Sequence, residues 1–386
     1  MRSVERFFDD IFLNLLKLSV IRQDISPDKI DHSSIKNILV IVRHQMGDML
    51  LTTPMLHSLR LQYPEAYITL VTKSSTKFLQ IFKDDNSFVD DVKEYENGFE
   101  NFINLIKELR DKKIDLAVVP STVSFSVTNH LIAYYSKAKI RAGAASINAL
   151  DNKADFLLNL KNDFLWESKK IHYIERNLDI IRQLGFQPRE KRIRIDLKKE
   201  NAEFAEKFCA ENFPDSSKPI VGFHAGAAKP ANVWAPEKFA GLALRLSQKF
   251  NCYFFISEGP DDAEYVNKLK ELIKDGRDIG TFKSQSGVLM NDNLVPGRLN
   301  LLNTAAVIER LCLFVTNDTG IMHLASGLKT PLIALFGPTR ASDWGPIGEE
   351  KISVQSASSN IDNITVDKVY EVCGKVLESK LNKKQL

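Results

Sequence analysis

Residues 316–344 read TNDTGIMHLASGLKTPLIALFGPTRASDW. The run LCLFV (311–315) just before them reads as a short buried strand, apolar and bounded by polar residues. Asn317, Asp318, Thr319 and Gly320 then make a tight turn. Asp318 or Thr319 is placed to cap a helix running to about Gly327, with His323 in its first or second turn. Thr330 and Pro331 break that helix. LIALF (332–336) is a second buried strand, and Gly337, Pro338 and Thr339 form the next turn. Strand, turn, short helix, strand is half of a doubly wound sheet. Its two turns face one edge, and such edges hold ligands at the carboxyl ends of strands. Free N–H groups at a helix start suit a diphosphate.

The same alternation runs outward in both directions. Towards the N-terminus, ILVIV (38–42), YITLVT (67–72) and IDLAVVP (114–120) read as buried strands, and FVDDVKEY (88–95) as an edge strand. Helical patterns separate them, NFINLIKELRDKK (101–113) being the most amphipathic. Residues 144–170 read as polar and irregular. Residues 186–217, with Pro188, a charge-rich run and Pro214, look like a connection. The alternation restarts at PIVGF (219–223) and CYFFIS (252–257), and a helix from Thr365 closes the chain. The expected class is α/β, with two Rossmann-like doubly wound domains and a cleft between them. The expected divisions are an N-terminal helix and link (1–35), a first domain (36–185), a linker (186–217), a second domain (218–364) and a closing helix and tail (365–386).

Composition removes several classes. A chain of 386 residues with 44% hydrophobic and 26% charged residues is that of a soluble globular protein. A net charge of +3 gives no reason to propose a nucleic-acid partner. Cys209, Cys252, Cys312 and Cys373 lie far apart and form no CxxC, so neither a disulfide framework nor a zinc site is indicated. Buried reduced thiols fit a reducing, cytoplasmic compartment. Val4, Phe7, Phe8, Ile11, Phe12, Leu15 and Leu18 recur at helical spacing. That helix either packs on the protein body or lies on a membrane surface as a peripheral contact. Asp9 and Asp10 weigh against tight binding to anionic lipid.

The absences narrow the chemistry. The first strand is followed by RHQMGD, with no G-x-G-x-x-G, and nothing matches a P-loop, a G-x-S-x-G elbow or H-E-x-x-H. No D-x-D offers ligands for a metal on a nucleotide diphosphate, so no metal and no cofactor are expected. Asp48 follows Gly47 at a helix start, at the rim of the first sheet. A carboxylate there can serve as a general base or as a helix N-cap. Glycine at 47 permits close backbone approach.

ILVIVRHQMGDMLLTTPMLHSLRLQYPEAYITLVT (38–72) resembles the opening of the heptosyltransferases, glycosyltransferase family 9. GFHAGAAKPANVWAPEKFAGLA (222–243) is similar to the segment that opens that family's second domain, and NDTGIMHLASGLKTPLIALFGPTRASDWGP (317–346) is similar to its nucleotide-sugar motif. The resemblance implies a GT-B fold and an inverting, metal-independent transfer of heptose from ADP-heptose to a lipid-linked saccharide, the inner core of lipopolysaccharide. It implies Asp48 as catalytic base and Asp318, Thr319, Gly320 and His323 as donor-site residues, with capping and half-buried helical packing as the plainer readings of Asp318 and His323. The turn HAGAA (224–228) offers backbone N–H groups at Gly226 and Ala227. Asp261 fits the ribose position, or is a solvated turn residue. Arg43, His44 and Lys73 end first-domain strands, where they would meet an anionic acceptor or simply be solvated.

One departure stands out. The family carries a lysine two residues before the tryptophan, where this chain has Asn232 before Val233 and Trp234. Lys229 then reaches the diphosphate from a rearranged loop, or another group or another sugar is used. A transferase for a different nucleotide sugar, and a nucleotide-sugar-binding homologue without catalysis, are the competing readings.

Overall fold

The computed structural model describes residues 13–21, 23–43, 45–73, 88–275 and 294–384. The start of the N-terminal helix, His44 and residues 74–82, where the alternation places a short helix after YITLVT, lie outside them. The chain divides into two compact units, Met1–Lys191 and Arg192–Leu386.

The first unit is built on β1 (Asn37–Ile41), whose residues Ile38 to Ile41 are completely buried. Its neighbours are β2 (Tyr67–Thr72) and β4 (Leu116–Val118), both parallel, with Ile38 opposite Ile68 on one side and Leu116 on the other. Next to these stand β3 (Asp91–Glu94) and β5 (Ile140–Ile147), giving the order β3–β2–β1–β4–β5. A strand buried on both faces needs an unbroken apolar run, which ILVIV supplies. Leu39 and Ile41 pack with Leu105 and Leu109 of the helix Phe99–Asp111, and with Ile132 of the helix Val127–Tyr135.

The segment expected to be irregular carries structure. β5 runs on to Ile147, β6 (Leu150–Asp151) folds back on it, and β7 (Leu160–Phe164) pairs with it in parallel. β7 lies at the sheet edge as LKNDF, and Ser146 donates a 2.6 Å bond to Asp163. Charged residues on an edge strand guard against further pairing and erase the apolar alternation that would reveal it.

The second unit is one parallel sheet. β8 (Ile220–His224) lies between β9 (Tyr253–Ser257) and β11 (Leu313–Asn317), and β10 (Leu294–Gly297), β12 (Leu332–Phe336) and β13 (Lys351–Gln355) complete it. The order is β10–β9–β8–β11–β12–β13. Counted from β8 this is 3-2-1-4-5-6, and the direction of winding reverses between β8 and β11. The first unit repeats the order through its first five strands, with its own reversal between β1 and β4. Within the span expected to be a linker, Lys199–Asn212 forms a helix, and Asn201 bonds Asn303 of the helix Leu301–Glu309 at 3.1 Å. The closing helix Val366–Lys384 inserts Val369, Cys373 and Leu377, spaced four apart, into the core beside Trp234.

All four cysteines are free thiols; Cys252 and Cys373 are buried, and burial pushes the Cys252 thiol up to about 12. No helix among the described residues is long and apolar enough to cross a membrane. Residues 13–19 are helical. Leu13 packs with Ala154, Phe156 and Leu157, so this part of the N-terminal helix rests on the protein body. Its other side leaves Leu15 and Leu18 63% and 86% exposed.

One half-buried cation steadies the segment quoted at the outset. Lys351, the first residue of β13, donates to the carbonyls of Leu328 and Thr330 at 2.7 and 2.6 Å, and to Ala325 at 3.1 Å. It thereby holds the C-terminal end of the helix Gly320–Ser326 and the turn leading into β12. Burial lowers its pKa to about 8; Glu350 opposes the shift and Lys380, itself paired with Glu350 at 3.2 Å, adds to it. A folded pKa below the unfolded one means that the unfolded chain holds the proton more tightly between pH 8 and about 10.5. Stability from this group therefore rises with pH across that window and is lowest below pH 8. Urea unfolding of wild type and Lys351→Met between pH 7 and 10.5 is expected to show the wild type gaining up to about 3 kcal/mol relative to the variant.

Candidate donor and acceptor sites

In the second unit the reversal between β8 and β11 brings two turns together at the carboxyl ends of those strands. Asn317, the last residue of β11, is completely buried. Its Nδ2 donates to the carbonyls of Ala225 and Gly226 at 3.0 and 3.2 Å, and its Oδ1 accepts from the Trp234 amide at 3.1 Å. One amide side chain thus fixes the turn after β8, the turn after β11 and the approach to Trp234. Trp234 is itself held by a 2.9 Å bond to the Ile364 carbonyl and by edge-on contact with Phe239.

The helix Gly320–Ser326 is capped by Thr319, whose Oγ1 accepts from the Met322 amide at 3.3 Å. Asp318 is released from that task. Its Oδ2 accepts from Thr339 Oγ1 at 2.6 Å and from Asn232 Nδ2 at 3.3 Å. Burial raises the Asp318 carboxyl pKa, while the Thr339 bond and the charge of Lys229 pull it back. Lys229 is exposed, at the start of the short 3-10 turn Pro230–Asn232. Its charge is felt at Asp318, but the side chain buried beside that carboxylate is the neutral Asn232. Asn232 Oδ1 is buried with no hydrogen-bond partner among the described residues. His323 is buried, with its ring 6.4 Å from that of Trp344.

The turn 224–228 is shaped by a residue that the sequence did not single out. A Cβ on Gly226 would lie 1.9 Å from Asp262 Oδ1, so only glycine fits. Asp262 is buried and accepts from the Gly259 amide at 2.7 Å, with His224 Nε2 3.7 Å away. Burial lowers the His224 pKa, and the nearby Asp262 opposes the shift. Asp261, the residue favoured for ribose, is exposed, whereas its neighbour Asp262 is built into the turn. Adjacent aspartates cannot be told apart by local sequence; only the fold assigns one to the interior. Gln355 on β13 was likewise not anticipated. Its amide donates to the carbonyls of Phe336, Gly337 and Thr339 and accepts from the Ala341 amide, which holds Thr339 against Asp318.

In the first unit Asp48 is the third residue of the short helix Met46–Leu50 and is half-buried. Gln45, not Asp48, is the N-cap. A carboxylate in a first helical turn is favoured by the helix dipole. Gly47 precedes it, and the Asp48 carbonyl accepts from Thr52 Oγ1 at 2.8 Å. Arg43 stacks on Tyr95 with its guanidinium carbon 4.6 Å from the ring centre, and bonds Asn97 at 2.5 Å. Burial lowers its pKa. Lys73 is exposed just beyond β2, and His44 lies outside the described residues. Among the described residues no group of three or more His, Cys, Asp or Glu side chains is placed to hold a metal ion.

The fold and the sequence both have known counterparts. The lipooligosaccharide heptosyltransferase 2 of Haemophilus influenzae is 25% identical over 320 residues, spanning 81% of this chain and 87% of that protein. The crystal structure of a family 9 glycosyltransferase from Veillonella parvula superposes with a TM-score of 0.72 at 20% identity, covering 93% of this chain and all of that one. The ADP-heptose LPS heptosyltransferase II of E. coli gives a TM-score of 0.68 at 20% identity, over 89% and 99% of the two chains. Residues 102–371 match the family described as glycosyltransferase family 9 (heptosyltransferase). The chain belongs to that family, and is a glycosyltransferase with two Rossmann-like units in a GT-B-like fold.

Proposed function

We propose that this glycosyltransferase moves heptose from ADP-heptose to a lipopolysaccharide inner-core acceptor with inversion at the anomeric carbon. The observation that carries the reading is the pair of turns fixed by Asn317 at the reversal point of the second sheet, where nucleotide ligands of such folds bind. The names of the relatives supply the sugar and the acceptor class. The second unit retains the nucleotide: Gly226 and Ala227 let the diphosphate approach the backbone, Lys229 supplies positive charge to the leaving group, and Asp318 and His323 face the donor. Asp48 takes the proton of the acceptor hydroxyl as its oxygen attacks the anomeric carbon. A diphosphate leaves as a stable anion, so a single base suffices.

Replacing Asp48 by Ala is expected to lower kcat by about 10²–10⁴-fold, the usual contribution of a general base, with the Kd for ADP little changed. Turnover within a few-fold of wild type in a radiolabelled-sugar assay would remove Asp48 from the mechanism. A second reading, a different nucleotide sugar, is favoured by the neutral Asn232 beside Asp318. A thermal-shift comparison decides between the two. ADP and ADP-heptose at about 100 times Kd should stabilise the protein by about 2.7 kcal/mol. Stabilisation by a UDP- or GDP-sugar alone would establish the second reading.

The acceptor is proposed to be reached at the cytoplasmic face of a membrane, with the exposed side of the N-terminal helix as the peripheral contact. Leu15 and Leu18 carry this part of the reading. Leu15→Glu with Leu18→Glu is expected to abolish co-sedimentation with lipid vesicles while leaving soluble-acceptor turnover intact; equal sedimentation of variant and wild type would exclude the contact.

A further inference from the structure

Charge is concentrated at a place the transfer reaction does not use. At the amino ends of β1, β4 and β5, opposite the end that carries Asp48, the first unit has a cavity of about 660 Å³. Lys36, Arg110, Lys113, Lys137 and Lys139 line it with a single carboxylate, Asp115. The lining therefore has a net charge of +4, more than the +3 of the whole chain.

Internal partners account for part of this charge. Asp115 Oδ1 binds Lys139 at 2.8 Å, while Oδ2 accepts from the Lys36 and Asn37 amides at 2.9 and 3.0 Å. That carboxylate is fully occupied. Arg110 donates through Nε to the Tyr135 carbonyl at 2.9 Å. The ammonium groups of Lys36, Lys113 and Lys137 have no ion pair among the described residues, and all three side chains are exposed.

The plain explanation is complementation of helix ends. The helices Phe99–Asp111 and Val127–Tyr135 both finish here, and Lys113 and Lys137 follow them directly after their caps. Each helix end presents about half a negative charge, so the two together offset about one of the four positive charges. About three remain around this one open depression. Like charges so placed repel, and an anion between them removes the repulsion.

We propose that this cavity is a second ligand site, for a small molecule bearing two or more phosphoryl groups. Ammonium groups bind phosphoryl oxygens through short charge-assisted hydrogen bonds. This site lies in the first unit and shares no residue with the turns of the second, so it does not depend on which sugar the enzyme transfers. The concavity favours a compact ligand over the planar surface of a bilayer.

Lysine acylation read residue by residue by mass spectrometry tests this on the full chain, with inorganic pyrophosphate as the probe. At twice its Kd, pyrophosphate should slow acylation of Lys36, Lys113 and Lys137 by about threefold relative to sodium chloride of equal ionic strength. Lys229 serves as a separate reporter of the donor turn. Lys113→Gln with Lys137→Gln, both at exposed positions, should abolish protection at Lys36 and leave that at Lys229 unchanged. Rates equal to those in chloride would overturn the proposal, as would protection by phosphatidylglycerol vesicles without protection by pyrophosphate. Protection at Lys36 that persists in the double variant would overturn it too.

Discussion

The side chain of Asn317 holds three separate pieces of chain in register. Its amide is completely buried, and each of its polar atoms has a backbone partner on the β8 side of the sheet. A buried amide in that position has to be satisfied, because an unpaired polar group there would cost about 1–3 kcal/mol. The requirement works in both directions. Residues 225 and 226 can turn away from the sheet because Asn317 Nδ2 donates to their carbonyls, and Trp234 can enter the core because Asn317 Oδ1 accepts from its amide. With the turns pinned by backbone contacts, Asp318, Lys229 and Thr339 are left to interact with one another rather than to hold the fold.

That division of labour explains how much could be read beforehand. β1, β8, β11 and β12 are buried on both faces, so their apolar runs announced them. Edge strands β7, β10 and β13 did not. β7 is polar, β10 contains Pro296 and Gly297, and β13 is half-buried. Each is recognisable only by the neighbour it pairs with. The candidate site divides in the same way. Gly226, Asp318 and Thr319 sit in turns, and Asp48 and His323 in the short helices beside such turns, at positions that follow from strand and helix punctuation. Asp262, in the turn after β9, and Gln355, on β13, act on these turns at separations that local patterning does not reach. The choice between Asp318 and Thr319 as helix cap was open in the sequence. It is resolved by geometry: Thr319 caps, and Asp318 is bound by Thr339.

The neutral Asn232 gains meaning in this setting. Beside the half-buried Asp318 carboxylate, a lysine would form an ion pair whose desolvation offsets part of its attraction. The amide instead offers Asp318 a weak, 3.3 Å donor, and the nearest charge is carried on the exposed Lys229. A positive group in solvent is screened by salt in a way that a buried one is not. The positive charge that reaches Asp318 is therefore one whose influence falls as ionic strength rises.

The strand order that creates these turns also sets the sequence of events during synthesis. β8 is the centre of the second sheet, yet its second neighbour, β11, lies some 90 residues further along; the Asn317–Ala225 bond spans 92 positions. Until residue 317 has left the ribosome, β8 has one flank unpaired, and the loop that must close to cover it is long. The first unit reaches the equivalent point at β4, well before the second has begun. A nascent chain thus carries a half-formed second sheet with an apolar edge for an extended period, the state most exposed to mispairing and to chaperone capture. The turns that Asn317 joins are the last part of the sheet centre to be assembled.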